Sequence, residues 1–204
     1  MRRTESLVQE RLRFVTVLHD VVLFDAGSVR SSVEMCRVEM NAFHRAFPDV
    51  WIRGAFEFEL IDLEHLLRKS NTKGIKKRNT LSAMLAGSSL PAGLKILVHF
   101  HATMDLGDRN GSEVLDWMQS RWDKHRSQVD IKATHAGQKL QDKIWKISSY
   151  CFKNRFRFND TFETRDYEMG KEFTNEQLGS LISLYQDFLD AGSGTIRGLN
   201  ISHG

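Results

Sequence analysis

Between residues 56 and 60 the chain alternates strictly: Phe56, Phe58 and Leu60 are apolar, and Glu57 and Glu59 lie between them. Successive side chains of a strand point to opposite faces. The stretch from Val50 to Ile61 therefore predicts a strand with an apolar face toward a core and both glutamates on the other face. The same period returns from about Leu94 to Met104, where Val98, Phe100 and Ala102 share one face and His99 and His101 share the opposite one. Val129 to Ala133 alternates as a short strand, and Arg155 to Phe158 interleaves basic and aromatic residues, as an edge strand does.

Elsewhere the apolar period is helical. Leu7, Val8, Leu12, Val15, Leu18 and Val22 come near helical spacing and predict a helix over residues 5–24. Ser31 and Glu34 have the spacing of a capping box. They predict a second helix with Val33, Cys36, Met40, Phe43 and Phe47 on one face and Pro48 at its end. Ser112 is a good N-cap for a helix to about His125 that uses Val114, Leu115, Met118 and Trp122. A further helix is expected from about His135 to Lys153, on Leu140, Ile144, Ile147 and Cys151. Thr174, with Gln177 completing a capping box, opens a last helix on Leu178, Leu181, Ile182, Tyr185 and Leu189.

Residues 62–93 form an irregular connection with helical pieces and with turns at Gly87-Ser88-Ser89 and Pro91-Ala92-Gly93. Gly107 to Gly111 is a loop. The order of elements predicts an α+β fold. An antiparallel sheet of four or five strands carries the histidines on one face, and helices pack on the other. Residues 1–47 are expected as an N-terminal helical section, 48–190 as the main domain, and 191–204, rich in Gly and Ser, as a flexible tail.

Composition narrows the class without choosing a function. At 204 residues, with 41% hydrophobic and 27% charged residues, the chain is long enough for one domain with a sizeable core. No stretch approaches the roughly 20 apolar residues needed to cross a bilayer. Met1-Arg2-Arg3-Thr4-Glu5 leads into a charged segment and not into a signal-peptide core. Two cysteines, Cys36 and Cys151, suit a reducing compartment, so a cytoplasmic protein without a membrane partner is expected. A net charge of +3 permits a nucleic-acid partner without demanding one, so charge placement matters more than the total. Lys69, Lys73, Lys76, Lys77 and Arg78 gather with no acid among them. They suit the tracking of phosphates as well as they suit a solvated loop.

Two groups carry chemistry. Two imidazoles two positions apart on a strand face can reach one metal ion, although His-apolar-His also marks an ordinary half-exposed strand. Lys143, Lys146, Tyr150 and Lys153 fall at i, i+3, i+7 and i+10 and make a polar stripe on the helix before residue 153. A phenol flanked by ammonium groups suits attack on a phosphodiester, since the cations favour the phenolate and hold the phosphate. The plainer reading of this stripe is a solvated basic helix face.

His99-Phe100-His101 resembles the His-hydrophobic-His motif of HUH endonucleases, which nick single-stranded DNA in rolling-circle replication, transposition and conjugation. Tyr150-Cys151-Phe152-Lys153, starting 49 positions after His101, resembles the Tyr-x-x-Lys motif of that family's replication initiators. Gly54-Ala55-Phe56-Glu57-Phe58-Glu59 is similar to the preceding strand, which in related enzymes often supplies an acidic third ligand. The resemblance spans residues 50–158. The tyrosine follows the histidines, as in replication initiators and unlike conjugative relaxases. The connection of more than thirty residues between the acidic and histidine strands departs from the pattern.

The resemblance implies an RRM-like, ferredoxin-like sheet and a metal-dependent, site-specific endonuclease and strand transferase. His99 and His101, with Glu59 or Glu57, would hold Mn²⁺ or Mg²⁺, with Glu59 favoured. Tyr150 would be the nucleophile that forms a 5′-phosphotyrosine, and Lys153, or more weakly Lys146, would orient the phosphate. Single-stranded DNA or an origin hairpin would be the partner. Gly170-Lys171 is followed by Glu172 and makes no phosphate-binding loop, so no fused helicase is expected, which leaves room for a separate host helicase as a partner.

Two other readings stand beside this one. An RRM-like nucleic-acid-binding module explains the basic loop and the aromatics, but not the histidines, acids and tyrosine together. A two-histidine phosphoesterase would use His101-Ala102-Thr103 and His125-Arg126-Ser127, whose 24-residue separation is short for such a cleft. The remaining histidines, His19 among them, are expected to be structural or solvated.

Overall fold

The computed structural model describes residues 9–62, 75–133, 157–159, 174–190 and 200–203. A 3₁₀ turn at Gln9–Arg11 leads into β1 (Leu12–Leu23), followed by α1 (Ala26–Ala46) and β2 (Trp51–Asp62). Next come α2 (Ile75–Leu85), β3 (Leu94–Asp105), α3 (Gly111–Arg121), a 3₁₀ turn at Arg126–Gln128 and β4 (Val129–Ala133). The short β5 (Arg157–Asn159), α4 (Asn175–Asp190) and β6 (Asn200–His203) complete the described elements.

The α+β class is as expected. The four longer strands run antiparallel in the order β4-β1-β3-β2. With α1 after β1 and α3 after β3, this is the split-βαβ, ferredoxin-like arrangement. β5 pairs parallel with Glu59–Ile61 of β2, and β6 pairs antiparallel with Ile52–Ala55, so together they line the outer edge of β2.

The expected helix over residues 5–24 is instead strand β1 from Leu12 onward, placed in the middle of the sheet between β3 and β4. Among the described residues 9–47, β1 and α1 thus form no separate helical section, because they belong to the same core as β2 and β3. β1 carries apolar residues on both of its faces, which blurs its alternation. Here a β-bulge between Leu18 and Asp20 also shifts the phase, so that Val15 and Val17 face the core before it and Val22 after it. The expected flexible tail likewise contains a strand, β6.

α1 begins six residues before the expected helix start. Asp25 is its N-cap, its carboxylate accepting from the Ser28 amide at 2.8 Å. α3 is capped by Asn110, one residue before its first turn, and not by Ser112. The expected capping box at α4 is present. Thr174 Oγ1 accepts from the Gln177 amide at 3.2 Å, and Gln177 Oε1 accepts from the Thr174 amide at 2.9 Å. The buried stripe of α4 runs through Leu181 and Leu184, while Leu178 and Ile182 are exposed.

One face of the sheet supplies Val15, Val17, Ile52, Phe56, Phe58, Leu60, Val98 and Phe100 to the main core. α1 covers it with Val33, Cys36, Met40 and Phe43, and α3 with Val114 and Met118. Each large apolar side chain fully buried there stabilises the fold by roughly 1.5–3 kcal/mol. Helices were expected on this face alone. α2 instead packs on the opposite face, where Leu81 joins Val21, Ile61 and Leu97 in a second, smaller cluster. Among the described residues no helix is long and apolar enough to cross a membrane.

Candidate metal centre

β3 lies between β1 and β2, so its side chains on the α2 face have neighbours on both sides. His99 stands opposite Leu18 of β1 and Glu57 of β2; His101 stands opposite Thr16 and Ala55. This register follows from the apolar alternation, because a slip by one residue would turn Phe56, Phe58, Val98 and Phe100 out of the core.

Glu57, His99 and His101 are buried, and each offers a ligand atom within 4.8 Å of the other two. Glu57 Oε2 lies 3.1 Å from His101 Nε2. This contact is diagonal across the pair, within reach of a long side chain, and the small Ala55 leaves the space beside His101 open to it. The two imidazole centroids are 5.0 Å apart with their planes at 81°. Phe14 stacks on the His101 ring at 5.6 Å and 10°, and Thr16 Oγ1 lies 2.9 Å from His101 Nδ1.

A buried carboxylate is costly unless it is paired, hydrogen-bonded or bound to a metal. Two imidazoles and one carboxylate converging in such a place fit a divalent ion of the first transition row, and the carboxylate also suits harder ions. The group could therefore hold a metal ion.

Both glutamates fall on the face the alternation predicts, but they do different things. Glu57 joins the histidines. Glu59, which the family strand favoured, accepts from Lys77 Nζ at 2.7 and 2.6 Å, and its Oε2 is 4.0 Å from His99 Nε2. The reason is α2, which crosses this end of the face and delivers an ammonium group to Glu59. Lys77 was expected among the DNA-contacting basic residues, yet it turns to the sheet. Of its neighbours, Lys76 is exposed on α2 and Arg78 is half-buried. Lys69, Lys73, Lys146, Tyr150 and Lys153 lie outside the described residues.

The histidines expected to be structural include one that is. Trp122 Nε1 donates to His19 Nδ1 at 2.8 Å, so the ring's Nε2–H donates to the Ser32 carbonyl at 3.0 Å. Burial pushes this imidazole down to about 4, against the smaller opposing effect of the Ser32 hydrogen bond. Next to it, burial raises the Asp20 carboxyl above its ordinary value. His125 caps the 3₁₀ turn, its Nδ1 accepting from the Ser127 amide at 3.1 Å with Thr80 Oγ1 3.2 Å away.

The places of Thr16 and Phe14 beside His101 are not visible while residues 5–24 read as a helix. The signal was the β-branched run Val15-Thr16-Val17, preceded by the aromatic Phe14, since both residue types favour strands. Comparison of the chain with protein-family models, curated proteins and solved structures returns no match.

Proposed function

We propose that this chain is a metal-dependent, site-specific endonuclease and strand transferase for single-stranded DNA, of the rolling-circle replication-initiator type. The observation that carries the reading is the buried convergence of Glu57, His99 and His101 on the α2 face of a split-βαβ sheet. It joins a metal-ligand set to a sheet architecture of the kind the resemblance implied.

Glu57, His99 and His101 would hold the ion. When bound, Mn²⁺ or Mg²⁺ would polarise the scissile phosphate as a Lewis acid. The Tyr150 phenolate attacks phosphorus in line. The new Tyr150 Oη–P bond forms as the P–O3′ bond breaks, and the departing 3′-oxygen takes up a proton. Lys153 and Lys146 favour the phenolate and steady the phosphate. The phosphotyrosine ester keeps the bond energy, so the reverse reaction rejoins strands without ATP. Lys76 and Arg78 are the described basic residues best suited to DNA phosphates outside the centre. The cytoplasmic setting and the separate host helicase belong to this same proposal.

The test is cleavage of a labelled single-stranded pool that contains hairpins and candidate origins, with Mn²⁺. The reading expects nicking that stops with chelator and with Glu57→Gln. DNA binding without nicking by the wild type, on every substrate, would favour the binding module. Nicking indifferent to chelator would favour the two-histidine phosphoesterase, although the capping role of His125 speaks against it.

A further inference from the structure

His101 is held from two sides by groups of different character. Phe14 lies almost parallel to its ring, 5.6 Å away at 10°, and fixes the ring plane. Thr16 Oγ1, 2.9 Å from Nδ1, meets one nitrogen, while Nε2 faces Glu57 Oε2 at 3.1 Å. Both contacts to β1 follow from register, since Thr16 is the direct partner of His101 and Phe14 the diagonal one. The plane of the imidazole is thus set by packing. Which nitrogen carries the proton depends on what stands at each end.

We propose that Thr16 is the positioning residue of the metal centre, its hydroxyl holding His101 with Nε2 toward Glu57 both before and after an ion binds. The inference rests on reading Glu57, His99 and His101 as ligands. Without an ion, Nε2–H donates to Glu57, and the Thr16 hydroxyl meets Nδ1 from the other side. With an ion, Nε2 must offer its lone pair, so the ring proton moves to Nδ1 and is donated to Thr16 Oγ1.

A hydroxyl serves both states because it donates and accepts and its hydrogen rotates. A backbone carbonyl or a carboxylate at Nδ1 could only accept. It would fix Nδ1–H and turn the Nε2 lone pair onto the buried Glu57 carboxylate whenever the ion is absent. Threonine also suits the site sterically, being β-branched on a central strand.

The experiment titrates the full chain with Mn²⁺ and compares wild type, Thr16→Val and Thr16→Ser. Losing the outer partner of a ligating histidine typically weakens metal binding by about 10–100-fold, and that is the loss expected for Thr16→Val. Thr16→Ser keeps the hydroxyl and should bind within a few-fold of wild type. A second readout needs no variant. The ¹⁵N shifts of His101 in the wild-type chain should report Nε2–H without metal and Nδ1–H after addition of Zn²⁺, a diamagnetic probe for imidazole ligands. Equal Mn²⁺ affinity of Thr16→Val and wild type would overturn the role of Thr16 and leave the metal centre standing. Equal weakening by Val and Ser would overturn it as well, since the hydroxyl would not be what matters. An unchanged ring tautomer on loading would do the same. A wild-type chain that binds neither ion would remove the metal centre and this inference together.

Discussion

Glu57 stands opposite His99 in the β2–β3 register, yet its carboxylate meets His101, Oε2 to Nε2 at 3.1 Å. One acidic side chain thereby links both histidines, and the neighbouring Glu59 is drawn off by Lys77. Glu57→Gln should weaken Mn²⁺ binding by more than about 100-fold, beyond the loss typical of an outer partner. Glu59→Gln should cost less than about 10-fold. Parallel Mn²⁺ titrations of the two variants check this. Equal losses would mean that the two carboxylates share the ligand role.

The Glu59–Lys77 pair bears on stability more than on the centre. Glu59 has 5% of its side chain exposed and Lys77 28%. Removing the ammonium leaves a buried carboxylate poorly compensated. Because Lys77 is partly solvated, Lys77→Met should lower stability by roughly 1–3 kcal/mol, below the full cost of breaking a wholly buried pair. The double variant Lys77→Met/Glu59→Leu should be more stable than Lys77→Met alone, because it removes the stranded charge as well. Denaturant midpoints of the three proteins decide it.

Gly54 of β2 lies tight against the backbone of His101 and Ala102. A Cβ there would lie 2.1 Å from the His101 carbonyl oxygen and 2.6 Å from the Ala102 Cβ. The obstruction is backbone and cannot rotate away. Gly54→Ala should therefore force the two strands apart and destabilise the protein by at least the roughly 1–3 kcal/mol of an overpacked core. It should also weaken metal binding, which a thermal scan with and without Mn²⁺ would show as a reduced metal-induced shift.

Acid should weaken the fold through His19. Its folded value of about 4 lies below the ordinary 6.5. Between these values the unfolded chain binds the proton that the folded chain refuses, so stability falls as pH drops from about 6.5 to about 4 and levels off below. The difference corresponds to a loss on the order of 3 kcal/mol. Asp20, raised by burial, acts in the opposite sense. Its contribution is fully present below its ordinary value of 3.8 and is lost as pH rises through the raised folded value. His19→Gln should flatten the decline between pH 6.5 and 4 in denaturant titrations.

The face that bears the centre was legible because β2 and β3 alternate cleanly. Phe56, Phe58, Val98 and Phe100 leave Glu57, Glu59, His99 and His101 only one side to occupy. β1 was not legible. It is apolar on both faces, and its bulge at residues 18–20 breaks the period and leaves Leu12, Val15, Leu18 and Val22 at spacings that mimic a helix turn. With β1 misread, Thr16 and Phe14 could not be placed against His101. The choice between Glu57 and Glu59 depended on where α2 crosses the sheet, a tertiary fact with no local pattern. β6 was hidden for a different reason, since four residues pairing with a distant strand carry no period of their own.

The measurement that meets the central claim most directly is mass spectrometry of the covalent adduct formed with Mn²⁺ and a cleavable single strand. The account predicts a DNA 5′-phosphate esterified to Tyr150 in the wild type, and no adduct in Tyr150→Phe, which should still bind DNA and Mn²⁺. An adduct on another residue, or cleavage that proceeds unchanged in Tyr150→Phe, would contradict it.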